Sequence, residues 1–368
     1  MITQIYNKGL VVLFILTVTL QFNSIEVKGQ TTYYDASAFP ILGKAIPNET
    51  ETRYERLPSS LKGKIREPLW NLGKNSAGLA IRFRSNTTSI SIKWELPVYQ
   101  SLNHMTVTGI NGLDLYCLEN GKWLFVGSAR PQQKTDNTAT VISNMIKTDR
   151  EYLLYLPLYN AISTIFIGID SQSELSQPQI QSPVRDKPLV FYGTSILQGG
   201  CASRPGMAHT NILSRWLNRE IVNLGFSGNG QLDLEIAEVI SKVDASVFIL
   251  DFVPNATVEQ MTERTKRFYR IIRDKHPQTP IVFIEDPEFT HIHFDQKIAH
   301  EVKFKNETIN KIFNALKESG ERNIYLISSK GMIGNDGEAT VDGIHFTDLG
   351  FMRYAEFLYP TIDRLLNK

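Results

Sequence analysis

The sequence predicts an α/β protein in two parts: an N-terminal all-β sandwich, then a C-terminal three-layer α/β/α domain with a parallel sheet. Three observations predict it. Short period-two segments crowd the chain before residue 180, nearly all-apolar runs alternate with helical stretches after it, and 368 residues suit two domains at roughly 100–200 residues each. With 42% apolar and 21% charged residues, the chain can bury a sizeable core. A formal charge of +1, from 39 Lys+Arg against 38 Asp+Glu, removes the electrostatic reason to bind nucleic acid, and no basic stripe occurs. There is no fixed-period repeat.

The first element is a leader. Lys8 is the only charged residue before a mostly apolar run at 9–22, GLVVLFILTVTLQF. The run is short and Thr-rich for a membrane span, which needs about 20 apolar residues. It fits the apolar region of a secretory signal, followed by small residues near Gly29. The expectation is a signal peptide over 1–29, an exported mature protein that works in the periplasm or outside the cell, and no stable membrane insertion. A retained N-terminal anchor helix is the alternative. Export would permit a disulfide, but Cys117 and Cys201 lie far apart in sequence, and two buried free thiols are an equally good reading.

The sandwich comes next. LAIRFR at 79–84 and SISIKW at 89–94 alternate polar and apolar residues, as half-buried strands do. Further strands are expected at 105–108, 113–118, 123–127, 138–143, 152–156 and 164–169. Asn120-Gly121 is a hairpin turn, with 113–118 and 123–127 as its arms. The polar, Pro-containing stretch at 171–187 reads as a linker, placed at 176–187 between domains at 30–175 and 188–368. Beyond it, short apolar runs at 189–192, 221–224, 246–252, 280–285 and 323–327 read as strands buried on both faces. Helical stretches at 207–219, 232–241, 258–276 and 295–319 separate them, giving βαβ units and a parallel sheet. Ligands bind outside the carboxyl ends of such strands, so the chemistry belongs in the loops that follow the runs.

Those loops hold Gly193-Thr194-Ser195, Gly225-Phe226-Ser227-Gly228-Asn229-Gly230 and Asp251-Phe252-Val253-Pro254-Asn255, with Asp342-Gly343-Ile344-His345 near the C-terminus. Together they make a nucleophilic acyl-transfer set. A serine needs an adjacent base, which His345 supplies, and Asp342 three residues earlier can hold its tautomer. The oxyanion of a tetrahedral intermediate needs preorganised donors: the backbone N–H of Ser195, that of Gly228, and the amide of Asn255.

These blocks resemble those of the SGNH (GDSL-like) hydrolases, whose four signature residues match Ser195, Gly228, Asn255 and His345 in order, with Asp342 at the family's Asp-x-x-His position. The resemblance covers about 187–368. It departs from the family at Thr194, where the usual motif has Asp. The β part resembles the N-terminal domain of a bacterial SGNH-esterase subfamily with a Gly-x-Asp-Leu-Tyr motif, here Gly112-Leu113-Asp114-Leu115-Tyr116. The resemblance implies a serine esterase with no metal or organic cofactor, acting on an acylated small molecule or glycan, with deacetylation of a glycan as the favoured reaction. A lipid or aryl esterase, an acyltransferase, and an inactive carbohydrate-binding protein are the alternatives.

Other motifs give less. The glycines at 225–230 run GxxGxG, without the order or the Gly-Lys-Ser/Thr of a phosphate cradle. An α/β-hydrolase would have a second Gly where Leu197 stands. Arg204 and Gln198, beside the serine loop, are candidate substrate-binding residues. His291, His293 and His300 near Glu285 and Asp286 could hold a metal, though a polar surface loop entering a helix is the favoured reading; following the fourth strand, the segment is also a candidate to line the substrate cleft. Trp70, Trp94 and Trp123 are either a sugar-stacking platform or core aromatics, the second being commoner.

Overall fold

A computed structural model describes residues 30–367, so the expected leader lies outside the described residues. The N-terminal part runs β1 (Thr31–Asp35), β2 (Ile41–Leu42), α1 (Glu67–Gly73), β3 (Ala80–Ser85), β4 (Ile90–Glu95), α2 (Val107–Asn111), β5 (Leu113–Glu119), β6 (Lys122–Ala129), β7 (Asp136–Ile142), β8 (Arg150–Tyr155), β9 (Thr164–Asp170) and β10 (Leu175–Ser176). One antiparallel sheet has the order β1-β9-β4-β7 and the other β10-β3-β8-β5-β6, with β2 beside β3. Ile90, Ile92 and Trp94 from the first sheet pack against Phe83, Leu115 and Leu154 from the second, closing the sandwich. The Asn120-Gly121 turn joins β5 to β6 with both residues at positive φ, 51° and 75°, as a type I′ hairpin requires.

The C-terminal part runs β11 (Val184–Gly193), α3 (Ser195–Gln198), α4 (His209–Trp216), β12 (Arg219–Gly225), α5 (Leu234–Ile240), β13 (Val247–Asp251), α6 (Val258–Lys275), β14 (Ile281–Ile284), α7 (Gln296–Glu318), β15 (Ile324–Ile327) and α8 (Asp348–Leu366). The sheet is parallel throughout, in the order β12-β11-β13-β14-β15. Along β11, Leu189 and Phe191 face a core shared with α4 and α8, while Val190 and Tyr192 face one shared with α5 and α6. That is why the strand reads as an unbroken apolar run. Among the described residues no helix is long and apolar enough to cross a membrane.

Three expectations are corrected. The segment at 105–108 is no strand. Thr106 accepts the Gly109 N–H at 3.1 Å and caps α2, whose end runs into β5. The expected linker at 176–187 carries strand at both ends: Ser176 pairs with Arg84, and Val184 with Arg219. The alternation assigned from sequence stops at β15, yet α8 follows, opened by Thr347, which accepts the Gly350 N–H.

The two parts share more than a short junction. Leu57, Leu61, Leu69 and Trp70 belong to the core on the α5–α6 side of the parallel sheet. Arg56 is buried and donates to the carbonyls of Asn223 (3.2 Å) and Gly225 (2.7 Å) at the end of β12. The outer face of the second β-sheet is also covered: Tyr116, Trp123, Leu153 and Tyr155 are buried, and Tyr155 donates to the Asn211 carbonyl in α4.

The Gly112–Tyr116 motif makes the tightest link. Alternation sends Leu113 and Leu115 into the sandwich and Asp114 and Tyr116 the other way. Asp114 is fully buried and accepts from Ser128 Oγ (2.6 Å), Arg204 (2.7 Å) and the Gly206 N–H (2.7 Å). Arg204 also donates to the Tyr116 hydroxyl at 2.8 Å and lies over the Phe125 ring at 3.8 Å. Asp114→Ala removes the acceptor shared by Ser128, the Gly206 N–H and Arg204, while the partly exposed Arg204 keeps its bond to Tyr116. It should cost about 1–3 kcal/mol of stability, read by chemical denaturation, as leaving buried donors without their acceptor does.

Candidate active site

The parallel sheet aims four loops at one place. Strand order reverses about β11, so the crevice at its carboxyl end, toward β13, is where a ligand is expected. Gly193 ends β11 so close to its neighbour that a Cβ there would lie 2.2 Å from the Asp251 carbonyl oxygen. Ser195 then opens the short helix α3, and its own carbonyl accepts from Tyr159 Oη at 3.2 Å. The Ser195 side chain is largely buried, with Oγ 2.9 Å from His345 Nε2.

His345 is held from behind. Its Nδ1 lies 2.7 Å from Asp342 Oδ2, while Asp342 Oδ1 accepts the N–H groups of Ile344 (3.1 Å) and His345 (2.8 Å). Because the carboxylate only accepts, Nδ1 carries the proton and Nε2 presents its lone pair to the serine. Burial works to raise the Asp342 pKa, but the bonds from the His345 ring and the two backbone N–H groups outweigh it and hold the carboxyl near 2. Next to His345, Phe346 is fully buried between Phe351 and Tyr354, which pins the loop to the core.

The other two loops carry the expected donors. Gly228 is exposed at φ 67°, with open space where a Cβ would stand. Asn255 accepts the Gly230 N–H through Oδ1 at 3.3 Å, which leaves its NH2 group to donate elsewhere. Arg66 props the second loop from the N-terminal part. It reaches Asp233 through two bonds of 2.8 Å and Asn229 Oδ1 at 2.7 Å.

Two expected substrate-binding residues have other work. Gln198 is fully buried and uses both ends of its amide, donating to the Leu158 carbonyl and accepting the Ser227 N–H. Arg204 is occupied by Asp114 and Tyr116, so it ties the loop after α3 to the sandwich. Trp70, Trp94 and Trp123 are all buried core residues, with the Trp94 and Trp123 indole N–H groups bonded to the Asn111 carbonyl and Ser182 Oγ. Cys117 and Cys201 are free and buried, and burial pushes the Cys201 thiol up to about 12.

The histidine cluster divides. His300 stacks on Phe304, and His293 lies edge-on to Phe294. His291 packs on the backbone of the loop between Asp342 and His345, so close that a Cβ on Gly343 would meet its ring at 1.9 Å. Among the described residues the group that could hold a metal is a different one: His104, Cys201, Asp342 and His345. His104, from the sandwich part, has its ring centroid 5.3 Å from that of His345. No sequence motif marks His104; only the docking of the two parts brings it here.

Beneath the site lie two more carboxyls. Burial pushes Asp251 and Asp286 up to about 7, against a bond from Tyr354 at the first and the nearby Lys305 at the second. Asp286 Oδ1 is buried with no hydrogen-bond partner. A carboxyl raised in this way weakens the fold as pH climbs from its unfolded value, about 4, to its folded one, by on the order of 1.4 kcal/mol for each tenfold fall in proton concentration. Asp286→Asn should therefore raise the melting temperature at pH 8 by several degrees and leave it nearly unchanged at pH 4, as thermal scans at both values would show.

Residues 186–363 match the family model described as GDSL-like Lipase/Acylhydrolase, and 31–175 match that for the N-terminus of the SGNH-hydrolase type of esterase. A Bacteroides ovatus protein described as a GDSL-like lipase is 36% identical, with a TM-score of 0.87 over 92% of this chain and 98% of its own. A salicylyl-acyltransferase from a tetracycline biosynthetic pathway shares the fold at 17% identity and a TM-score of 0.75, covering 91% of this chain and 97% of its own. So does a family two carbohydrate esterase from Clostridium thermocellum, solved with cellohexaose, at 14% identity and 0.57 over 79% and 93%. No curated protein matches the chain.

Proposed function

The chain belongs to the GDSL-like lipase/acylhydrolase family, with the N-terminal domain of its SGNH-type esterases, and on that premise we propose that it is an exported serine esterase that removes acyl groups, acetyl above all, from carbohydrate. The observation that carries the reaction type is the unbroken line from Asp342 Oδ2 through the His345 ring to Ser195 Oγ, with links of 2.7 and 2.9 Å.

In this reading Ser195 Oγ attacks the ester carbonyl as its proton passes to His345 Nε2. Asp342, ionised at any working pH, stabilises the imidazolium through Nδ1–H. The oxyanion is met by the Ser195 and Gly228 N–H groups and the Asn255 amide. The tetrahedral species collapses, the alcohol leaves with the proton from Nε2, and the acyl group stays on Oγ. Water then attacks, giving its proton to Nε2, and the acid departs as Oγ recovers a proton.

Support for a glycan alcohol comes from the expected export signal and the attached sandwich. The same fold also serves a carbohydrate esterase and an acyltransferase, so the acceptor is decided by experiment.

Two measurements test this. Acetate release from a panel of acetylated polysaccharides, and from an aryl acetate, should occur with the wild type and fall by about 10³ or more in Ser195→Ala. Turnover that survives the substitution sinks the mechanism, release from aryl or lipid esters alone sinks the glycan assignment, and an ester product formed with added sugar makes the protein a transferase. Separately, Asn255→Ala should lower kcat by about 10²–10³ with little change in KM, as loss of one oxyanion donor does.

A further inference from the structure

We propose that His345 doubles as a ligand of a zinc-type inhibitory site completed by His104, Cys201 and Asp342, so that a thiophilic divalent cation switches the esterase off. This inference rests on the esterase reading for its consequence, though not for the binding itself. One nitrogen from each histidine, the Cys201 sulfur and an Asp342 oxygen all lie within 4.8 Å of one another. Two imidazoles, a thiol and a carboxylate are the donors that Zn2+ and its neighbours take, whereas Mg2+ and Ca2+ want oxygens. Around tetrahedral zinc, donor atoms stand roughly 3.3–3.7 Å apart, so the group closes on the ion by about 1 Å of side-chain movement.

The surroundings hold the donors in place. His104 Nδ1 lies 3.0 Å from Asn103 Oδ1, an acceptor, so Nδ1 carries the proton and Nε2 keeps a lone pair. The loops that carry His104 and Cys201 are locked together. Thr106 and Thr108 hydroxyls both donate to the Ser203 carbonyl, at 2.6 and 2.7 Å, and a Cβ on Gly109 would stand 2.3 Å from the Ala202 oxygen. Cys201 sits at φ 71°, free of any disulfide and with no part in the ester chemistry. On binding, its thiol proton goes to solvent and a sulfur–metal bond replaces it, with no change of oxidation state.

Either nitrogen of His345 leads to the same result. Coordination through Nε2 uses the lone pair that takes the serine proton. Coordination through Nδ1 breaks the bond to Asp342 and places the ring proton on Nε2. The base is lost both ways.

The test uses the full chain. Co2+ added to wild type and to Ser195→Ala should give, at one equivalent, thiolate-to-cobalt absorption with tetrahedral visible bands, and Zn2+ should inhibit aryl acetate hydrolysis reversibly with a chelator. His104→Ala and Cys201→Ser should keep metal-free turnover, lose the absorption and weaken zinc inhibition by about tenfold or more. Absence of the thiolate band from both wild type and Ser195→Ala, or unchanged inhibition in both ligand variants, overturns the proposal. If no ester is turned over, the cobalt spectrum of Ser195→Ala still decides whether the site exists.

Discussion

A serine hydroxyl and an imidazole 150 residues apart must stand within hydrogen-bond distance, and the parallel sheet is what makes that possible. Every strand from β11 to β15 ends at the same rim, so loops remote in sequence arrive together. The sheet order adds a reversal at β11, opening the crevice where Ser195 stands beside the loop that carries Asn255. Given that frame, local devices finish the site. Gly193 allows close strand approach, the Asp342 carboxylate wraps its own loop, and buried Phe346 anchors the residue beside the imidazole.

The sandwich is part of this frame. Its second sheet is buried on both faces, one inside the sandwich and one against α4 and the loop after α3. Arg56 and Arg66 reach across to the end of β12 and the Gly228 loop, and Asp114 holds Arg204. The Gly-x-Asp-Leu-Tyr motif thus reads physically as two leucines for one core and two polar residues for the other part.

Environment separates three aspartates of one type. Asp342 is partly exposed and accepts three bonds, so its carboxyl is held near 2. Asp251 and Asp286, both buried, are pushed by that burial to about 7. Only the first can serve as a fixed negative charge behind an imidazole at every pH where the fold is stable.

Much of this was legible in the residues. Period-two alternation marked β3, β4, β5 and β8, Asn120-Gly121 marked its hairpin, and four motif loops marked Ser195, Gly228, Asn255 and His345, because local pattern and fixed spacing are properties of the chain itself. One misreading is local: residues 105–108 look like a strand, but Thr106 caps a helix three residues on. The others came where a distant contact decides. Arg204 and Gln198 look free until Asp114, Leu158 and Ser227 take their polar groups. His104 carries no motif, and its place 5.3 Å from the His345 ring exists only because two sheets dock. Sequence alone determined most element types and the loops that carry the candidate groups, since those follow from neighbours along the backbone. Tertiary structure alone decided which polar side chains remain available to a ligand, since that depends on partners the chain brings from far away.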